Sequence, residues 1–297
     1  MDKTLDTEWT SLLRFLPGPW REQLRDLLCF ELRIRDGRPL QSVGPGGGIV
    51  HAITATSADI KHLVAAFSQS SLYAFEEELK QGYITLPGGH RVGFAGKALL
   101  DSEGKVRGLK DISGICLRVA RSVLGCADRL LPALLDQCGA PYHLLVVSPP
   151  QGGKTTLLRD IARQVSDGGK RVCIVDERSE IAGCYQGRPQ LDVGMFTDVL
   201  DGCPKAQGML MALRALSPEV LVTDEIGRTE DVLAIEEALN AGVRVLATAH
   251  GANLQEVTKR PQIRDLMERQ LFQRIIILSN RAGPGTVEFV GAPLISR

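Results

Sequence analysis

The residues best suited to chemistry begin at Ser148-Pro149-Pro150-Gln151-Gly152-Gly153-Lys154-Thr155-Thr156, where two glycines precede a lysine and two hydroxyl residues. An apolar run, Tyr142–Val147, stands before this segment and an amphipathic run follows it to about Val165, so it reads as a strand-to-helix turn. In that context, backbone N–H groups and the helix N-terminus offer fixed positive potential to a polyphosphate. Gly152 and Gly153 let the backbone approach closely. Lys154 neutralises charge on the β/γ oxygens, and Thr155 supplies a hydroxyl ligand for Mg²⁺. The usual pattern begins with glycine where this chain has Ser148; a small side chain fits there if its φ is negative. The bland alternative is a glycine-rich turn carrying a solvated lysine.

Nucleotide binding alone does not give hydrolysis, which needs carboxylates at a strand end. Ser217-Pro218-Glu219-Val220-Leu221-Val222-Thr223-Asp224-Glu225-Ile226-Gly227-Arg228 provides them. Asp224 is expected in the Mg²⁺ shell, and Glu225 against the γ-phosphate, polarising the attacking water. The alternative is an acidic pair stabilised at a helix start. A second acidic group, Asp176-Glu177-Arg178-Ser179-Glu180, follows another apolar strand. Open parallel sheets bind ligands beyond the C-terminal ends of their strands, which makes Glu177 a second candidate base, against a solvated loop. His250 ends a third strand and is a candidate γ-phosphate contact, against a capping histidine.

The elements that must position these groups alternate through the second half. Strands are predicted at 142–147, 171–176, 219–223, 243–249, 274–279 and 286–290, with helices to 165 and over 205–216 and 230–241. Continuous apolar strands separated by helices mean a parallel sheet covered on both faces. The first half reads as a smaller α+β domain. Its predicted parts are helical runs near 11–28, a hairpin turning at Asp36-Gly37, a loop at 44–48 and helices over 58–68 and 71–81. A second hairpin turns at Gly88-Gly89, and a strand covers 114–119. A helix over 127–137 would connect the halves, giving domains of 1–137 and 138–297. The segment 182–209 reads as a long irregular loop suited to partner or substrate contacts.

Composition removes other classes. With 35 basic and 35 acidic side chains and 5% aromatics, the chain offers neither a backbone funnel nor a stacking platform for nucleic acid. No apolar run is long enough to cross a membrane, and the N-terminus has no apolar signal segment. A cytoplasmic protein is therefore expected. The seven cysteines form no C-x-x-C pair and read as reduced, small hydrophobes.

Four segments in this order, the phosphate loop, IVDERSE, ALRALSPEVLVTDEIGRTED and VLATAHG, resemble the type II/type IV secretion ATPase superfamily. The metal-site motif there usually reads Gly-Glu, where this chain has Asp224-Glu225. Nearly the whole chain is similar to a branch of that superfamily that acts in endospore formation, through ELRIRDGRPL, YITLPGGHRVGFAG, ISGICLRVAR, VDERSEIAG, TDVLDGCPKAQGM and DEIGRTED. The resemblance implies a RecA-like P-loop α/β domain behind a smaller α+β domain, with ATP and Mg as cofactors and nucleotide bound between the two domains. It also implies a homo-oligomeric ring, usually a hexamer, on the mother-cell side. There the ring would power or gate a secretion-like channel to the forespore, meeting the membrane through that channel's proteins. By the same resemblance, Arg118 reaches nucleotide phosphate. Arg178, Arg188 and Arg228 are candidates for a charge donated to a neighbouring subunit. Two other readings stay open: a RecA-like nucleic-acid motor, and a nucleotide-dependent assembly factor with little hydrolysis.

Overall fold

The computed structural model describes residues 7–68, 76–80 and 82–293. They fall into two compact units, Met1–Arg121 and Ser122–Arg297. The division lies ahead of residue 137 because the intervening segment joins the second core. Ala127 and Leu134 are buried with Leu144, Val146 and Leu158, and the Ala127 N–H donates to Asp160 Oδ2 at 2.8 Å.

The first unit opens with α1 (Thr7–Leu13) and α2 (Gly18–Leu24), then β1 (Glu31–Arg35), β2 (Pro39–Gly44) and β3 (Gly47–Thr54). Next come α3 (Ser57–Phe67), α4 (Glu76–Lys80), β4 (Tyr83–Thr85), β5 (Arg91–Leu100) and β6 (Val106–Arg118). The strands form one antiparallel sheet in the order β3-β2-β1-β6-β5-β4. Period-two alternation buries Leu32 and Ile34 of β1 against Trp9, Leu12, Ile60, Leu63 and Phe67 of the helices. Thr56 and Asp59 cap α3 reciprocally, the pairing that starts a helix most firmly. The glycine-rich 44–48 segment is a tight connection into β3, a strand the sequence reading missed. Of the helix predicted over 71–81, α4 is described, whereas 71–75 and 81 lie outside the described residues.

In the second unit the predicted 127–137 helix shrinks to α5 (Leu131–Leu134), preceded by short i→i+3 turns and carrying Pro132 in its first turn. Then come β7 (Leu144–Ser148), α6 (Lys154–Asp167), β8 (Val172–Asp176), β9 (Thr197–Asp201) and α7 (Lys205–Ala215). They are followed by β10 (Val220–Thr223), α8 (Thr229–Asn240), β11 (Arg244–His250), α9 (Leu254–Val257), α10 (Pro261–Glu268), β12 (Arg274–Ser279) and β13 (Thr286–Gly291). The sheet order is β13-β12-β7-β11-β10-β8-β9, parallel except for the β12–β13 pair. β7, β8 and β10 are buried along their full length. One face packs on α6, the other on α7, α8 and α10. The 182–209 stretch is therefore not wholly irregular: it holds β9, which adds to the edge of β8, and the start of α7. With only Val199 and Leu200 apolar, β9 carries too weak a pattern to be read as a strand.

Candidate functional site

β7, β8, β10 and β11 run parallel, so their C-terminal ends, Ser148, Asp176, Thr223 and His250, lie along one edge of the sheet. The phosphate loop leaves β7 at that edge. Ser148 is fully buried and its φ is not positive, so it fits where glycine is usual. Its hydroxyl donates to the Pro149 carbonyl at 2.9 Å. A Cβ on Gly152 would sit 2.1 Å from that hydroxyl oxygen and 3.1 Å from Pro149 O. Gly153 has φ +85 and caps α6, which starts at Lys154 and carries Thr155 and Thr156 in its first turn. Gly152→Ala is therefore expected to cost about 1–3 kcal/mol of stability through overpacking. Adding Ser148→Gly removes the nearest obstacle, and denaturant melts of the single and double variants should show most of the loss recovered. A single variant as stable as wild type would contradict the tight loop.

The loop lysine meets the predicted base directly. Lys154 Nζ is 2.7 Å from Glu225 Oε1, and Arg178 Nη1 is 3.8 Å from Glu225 Oε2. Glu225 holds φ +43, a left-handed conformation a glutamate rarely adopts. Its N–H donates to Thr248 Oγ1 at 2.8 Å, and the next N–H, of Ile226, donates to Thr248 O at 2.9 Å. Thr248, on β11, thus fixes the turn that aims Glu225. Burial pushes the Glu225 carboxyl up, but Lys154, Arg178 and His250 outweigh it and hold the group below its ordinary value. It is an ionised carboxylate at neutral pH.

Asp224, beside it, is 2% exposed, and its Oδ1 has no hydrogen-bond partner among the described residues. Burial raises its carboxyl to about 6; nearby Asp176, Glu180 and Glu225 push the same way, against Lys205. Lys205 is 8% exposed, and its Nζ stands 3.9 Å from Asp224 Oδ1 and 2.5 Å from Glu177 Oε2. A buried carboxylate oxygen without a donor is costly unless a cation completes it. The donor set, this oxygen with the Thr155 hydroxyl on α6, is of the hard oxygen type that Mg²⁺ prefers.

Glu177 is held differently: Lys205 and Arg228, whose Nη1 is 3.9 Å from Glu177 Oε1, neutralise it from two sides. Asp176 is fully buried and accepts the N–H groups of Glu180, Ile181 and Ala182 at 2.8, 2.9 and 2.8 Å. Burial still raises its carboxyl. Arg159, from α6, donates to the Ile181 and Glu180 carbonyls. The acidic group after β8 is therefore partly an internal turn, with Asp176 consumed in building it. His250 pairs in register with Ser148 and is half-buried. Arg188 is exposed in a turn closed by reciprocal Tyr185–Arg188 backbone bonds. Arg118 belongs to the first unit, with its Nε 3.3 Å from Glu31 Oε2. Sequence reasoning missed Lys205, which reads as a solvated helix-start cation, and Thr248, which reads as an ordinary strand residue.

The chain matches the family described as "Sporulation stage III, protein AA" over residues 21–292. It is 47% identical over 262 residues to Stage III sporulation protein AA of Bacillus subtilis (strain 168), covering 86% of this chain and 84% of that protein. Among solved structures it resembles the ATPase DotB of Legionella pneumophila, with a TM-score of 0.60 and 17% identity over 88% of this chain and 76% of that one. It also resembles the pilus retraction motor PilT with bound ADP, with a TM-score of 0.55 and 17% identity over 87% and 76%. At such identities the two structures carry the fold alone. The chain belongs to the sporulation stage III protein AA family, built on the RecA-like fold of the secretion ATPases.

Proposed function

We propose that this protein is a Mg-dependent ATPase of the mother-cell cytoplasm that works as a ring and powers or gates a channel to the forespore. The observation that carries the reading is the convergence on one sheet edge of Lys154, Glu225 and a buried Asp224 oxygen that accepts no hydrogen bond among the described residues. The family supports the sporulation setting, and likeness to DotB and PilT supports nucleotide as the ligand. Among the described residues no helix is long and apolar enough to cross a membrane, which suits contact with the membrane through partner proteins. Asp224 and Thr155 would hold Mg²⁺, which supplies charge neutralisation at the phosphates. Lys154 binds and orients the β/γ-phosphates, and Glu225 accepts a proton from water. His250 senses the γ-phosphate. In this reading an incoming phosphate displaces Glu225 from Lys154, so nucleotide binding itself frees the base.

Lys154→Ala tests the reading. The lysine contributes a point charge to the phosphates, and its removal is expected to lower turnover by about 10²–10³. Its one described partner is a half-buried glutamate, so the fold should persist; circular dichroism and phosphate-release assays measure both. Wild-type turnover in the purified variant would remove this loop from the mechanism.

A further inference from the structure

The turn between β12 and β13, about 130 residues downstream in sequence, lies against the phosphate loop. Gly285 N–H donates to Gly152 O at 3.0 Å, and Asn280 Nδ2 donates to Pro150 O at 3.2 Å. A Cβ on Gly153 would come within 3.1 Å of Gly285 N, so the two glycines touch closely. Among the described residues no peptide bond is cis, and in a trans peptide the C=O and N–H point to opposite sides. Pinning Pro150 O and Gly152 O on the turn's side therefore directs the N–H groups of Gln151 and Gly153 away from it. Among the described residues neither of those N–H groups donates to a protein acceptor. Such donors are what an anion-binding loop must present. Gln151 holds φ +58, a left-handed conformation that a glutamine in a free loop rarely keeps, and Gly153 holds φ +85, which glycine adopts readily.

We propose that the β12–β13 turn is a brace for the phosphate cradle, with Asn280 and the Gly285 N–H as positioning groups that lock two peptide planes so that Gln151 and Gly153 aim their N–H groups at nucleotide phosphate. The brace rests on reading 148–155 as the phosphate loop. It acts by pre-ordering donors, so its loss lowers affinity for anything bearing phosphates while leaving the folded unit intact.

The test is titration of the full chain with MgADP and with pyrophosphate. Asn280→Ala is expected to weaken both by the same factor, about 3- to 10-fold for one lost hydrogen bond, without a shift in thermal midpoint. Gly285→Ala adds a Cβ that meets nothing within 4 Å, but at φ +84, so the turn relaxes off Gly152 and the loss is larger. Faster exchange of the backbone amide at position 285 accompanies it, a readout that global stability would not move. If Lys154→Ala abolishes pyrophosphate binding while both turn variants bind like wild type, the brace is refuted and the loop assignment stands. If wild type binds neither probe, the loop assignment fails and the brace falls with it.

Discussion

Glu225→Gln is expected to bind MgATP at least as tightly as wild type and to hydrolyse it about 10²–10⁴ times more slowly, the range for loss of a general base. The amide keeps the side chain's shape, and the Thr248 hydroxyl still fixes the backbone at φ +43, so geometry is preserved. What is lost is a carboxylate that Lys154 and Arg178 keep ionised. Its replacement also exchanges the 2.7 Å ion pair that engages Lys154 before nucleotide arrives for a weaker bond to a neutral amide oxygen, which is why affinity should not fall. Two assays separate the effects: equilibrium binding of a fluorescent nucleotide, and single-turnover phosphate release. Glu177 is the rival base, and Lys205 and Arg228 flank its oxygens as Lys154 and Arg178 flank those of Glu225. The difference is that the lysine on Glu225 is the loop lysine an incoming phosphate would draw away, whereas Lys205 on α7 stays beside Glu177. Normal turnover in Glu225→Gln together with a silent Glu177→Gln would reverse this ranking.

Much of this site is legible in the sequence because its parts are local. The glycines and lysine of the loop are contiguous, and Asp224-Glu225 follows an apolar strand, so strand end and carboxylate are read together. The parts that resist reading depend on distant neighbours. Thr248 matters only because β11 lies beside β10 in the sheet. Lys205 matters only because α7 begins near the ends of β8 and β10, where its ammonium meets Glu177 and approaches Asp224. The 280–285 turn contacts the phosphate loop because β12 pairs with β7. The same logic explains the element errors. β9 and β3 are edge strands with few buried side chains, so their pattern is weak. The 127–137 run has helical periodicity, yet the Asp160 carboxylate claims the Ala127 N–H and Pro132 interrupts the turns.

ATPase activity per chain is expected to rise with protein concentration, with Arg188 as the group a neighbouring subunit supplies. In sequence, Arg178, Arg188 and Arg228 are equivalent loop cations near strand ends. In the structure they are not. Arg178 approaches Glu225 and Arg228 approaches Glu177, so both charges serve carboxylates of their own chain. Arg188 is exposed on a turn closed by two backbone hydrogen bonds, and among the described residues its guanidinium has no acidic partner. A rigid turn presenting an uncompensated guanidinium suits bidentate contact with a phosphate across a subunit boundary. Such an arginine supplied in trans is worth about 10³–10⁵ in rate in other phosphoryl-transfer systems, enough to leave a monomer nearly silent. Head-to-tail contacts that close into a ring would give every site one such donor. Arg188→Ala should therefore bind MgATP normally and turn over at least about 10³-fold more slowly. Mixing it with Lys154→Ala chains, which keep Arg188, should restore activity that neither variant has alone. The same mixture made with Arg178→Ala or Arg228→Ala should not recover, because those charges act on the chain that carries them. Recovery with either of them and not with Arg188→Ala would move the donor to that position. Full activity from dilute chains shown to be monomeric by mass measurement would exclude donation between subunits altogether.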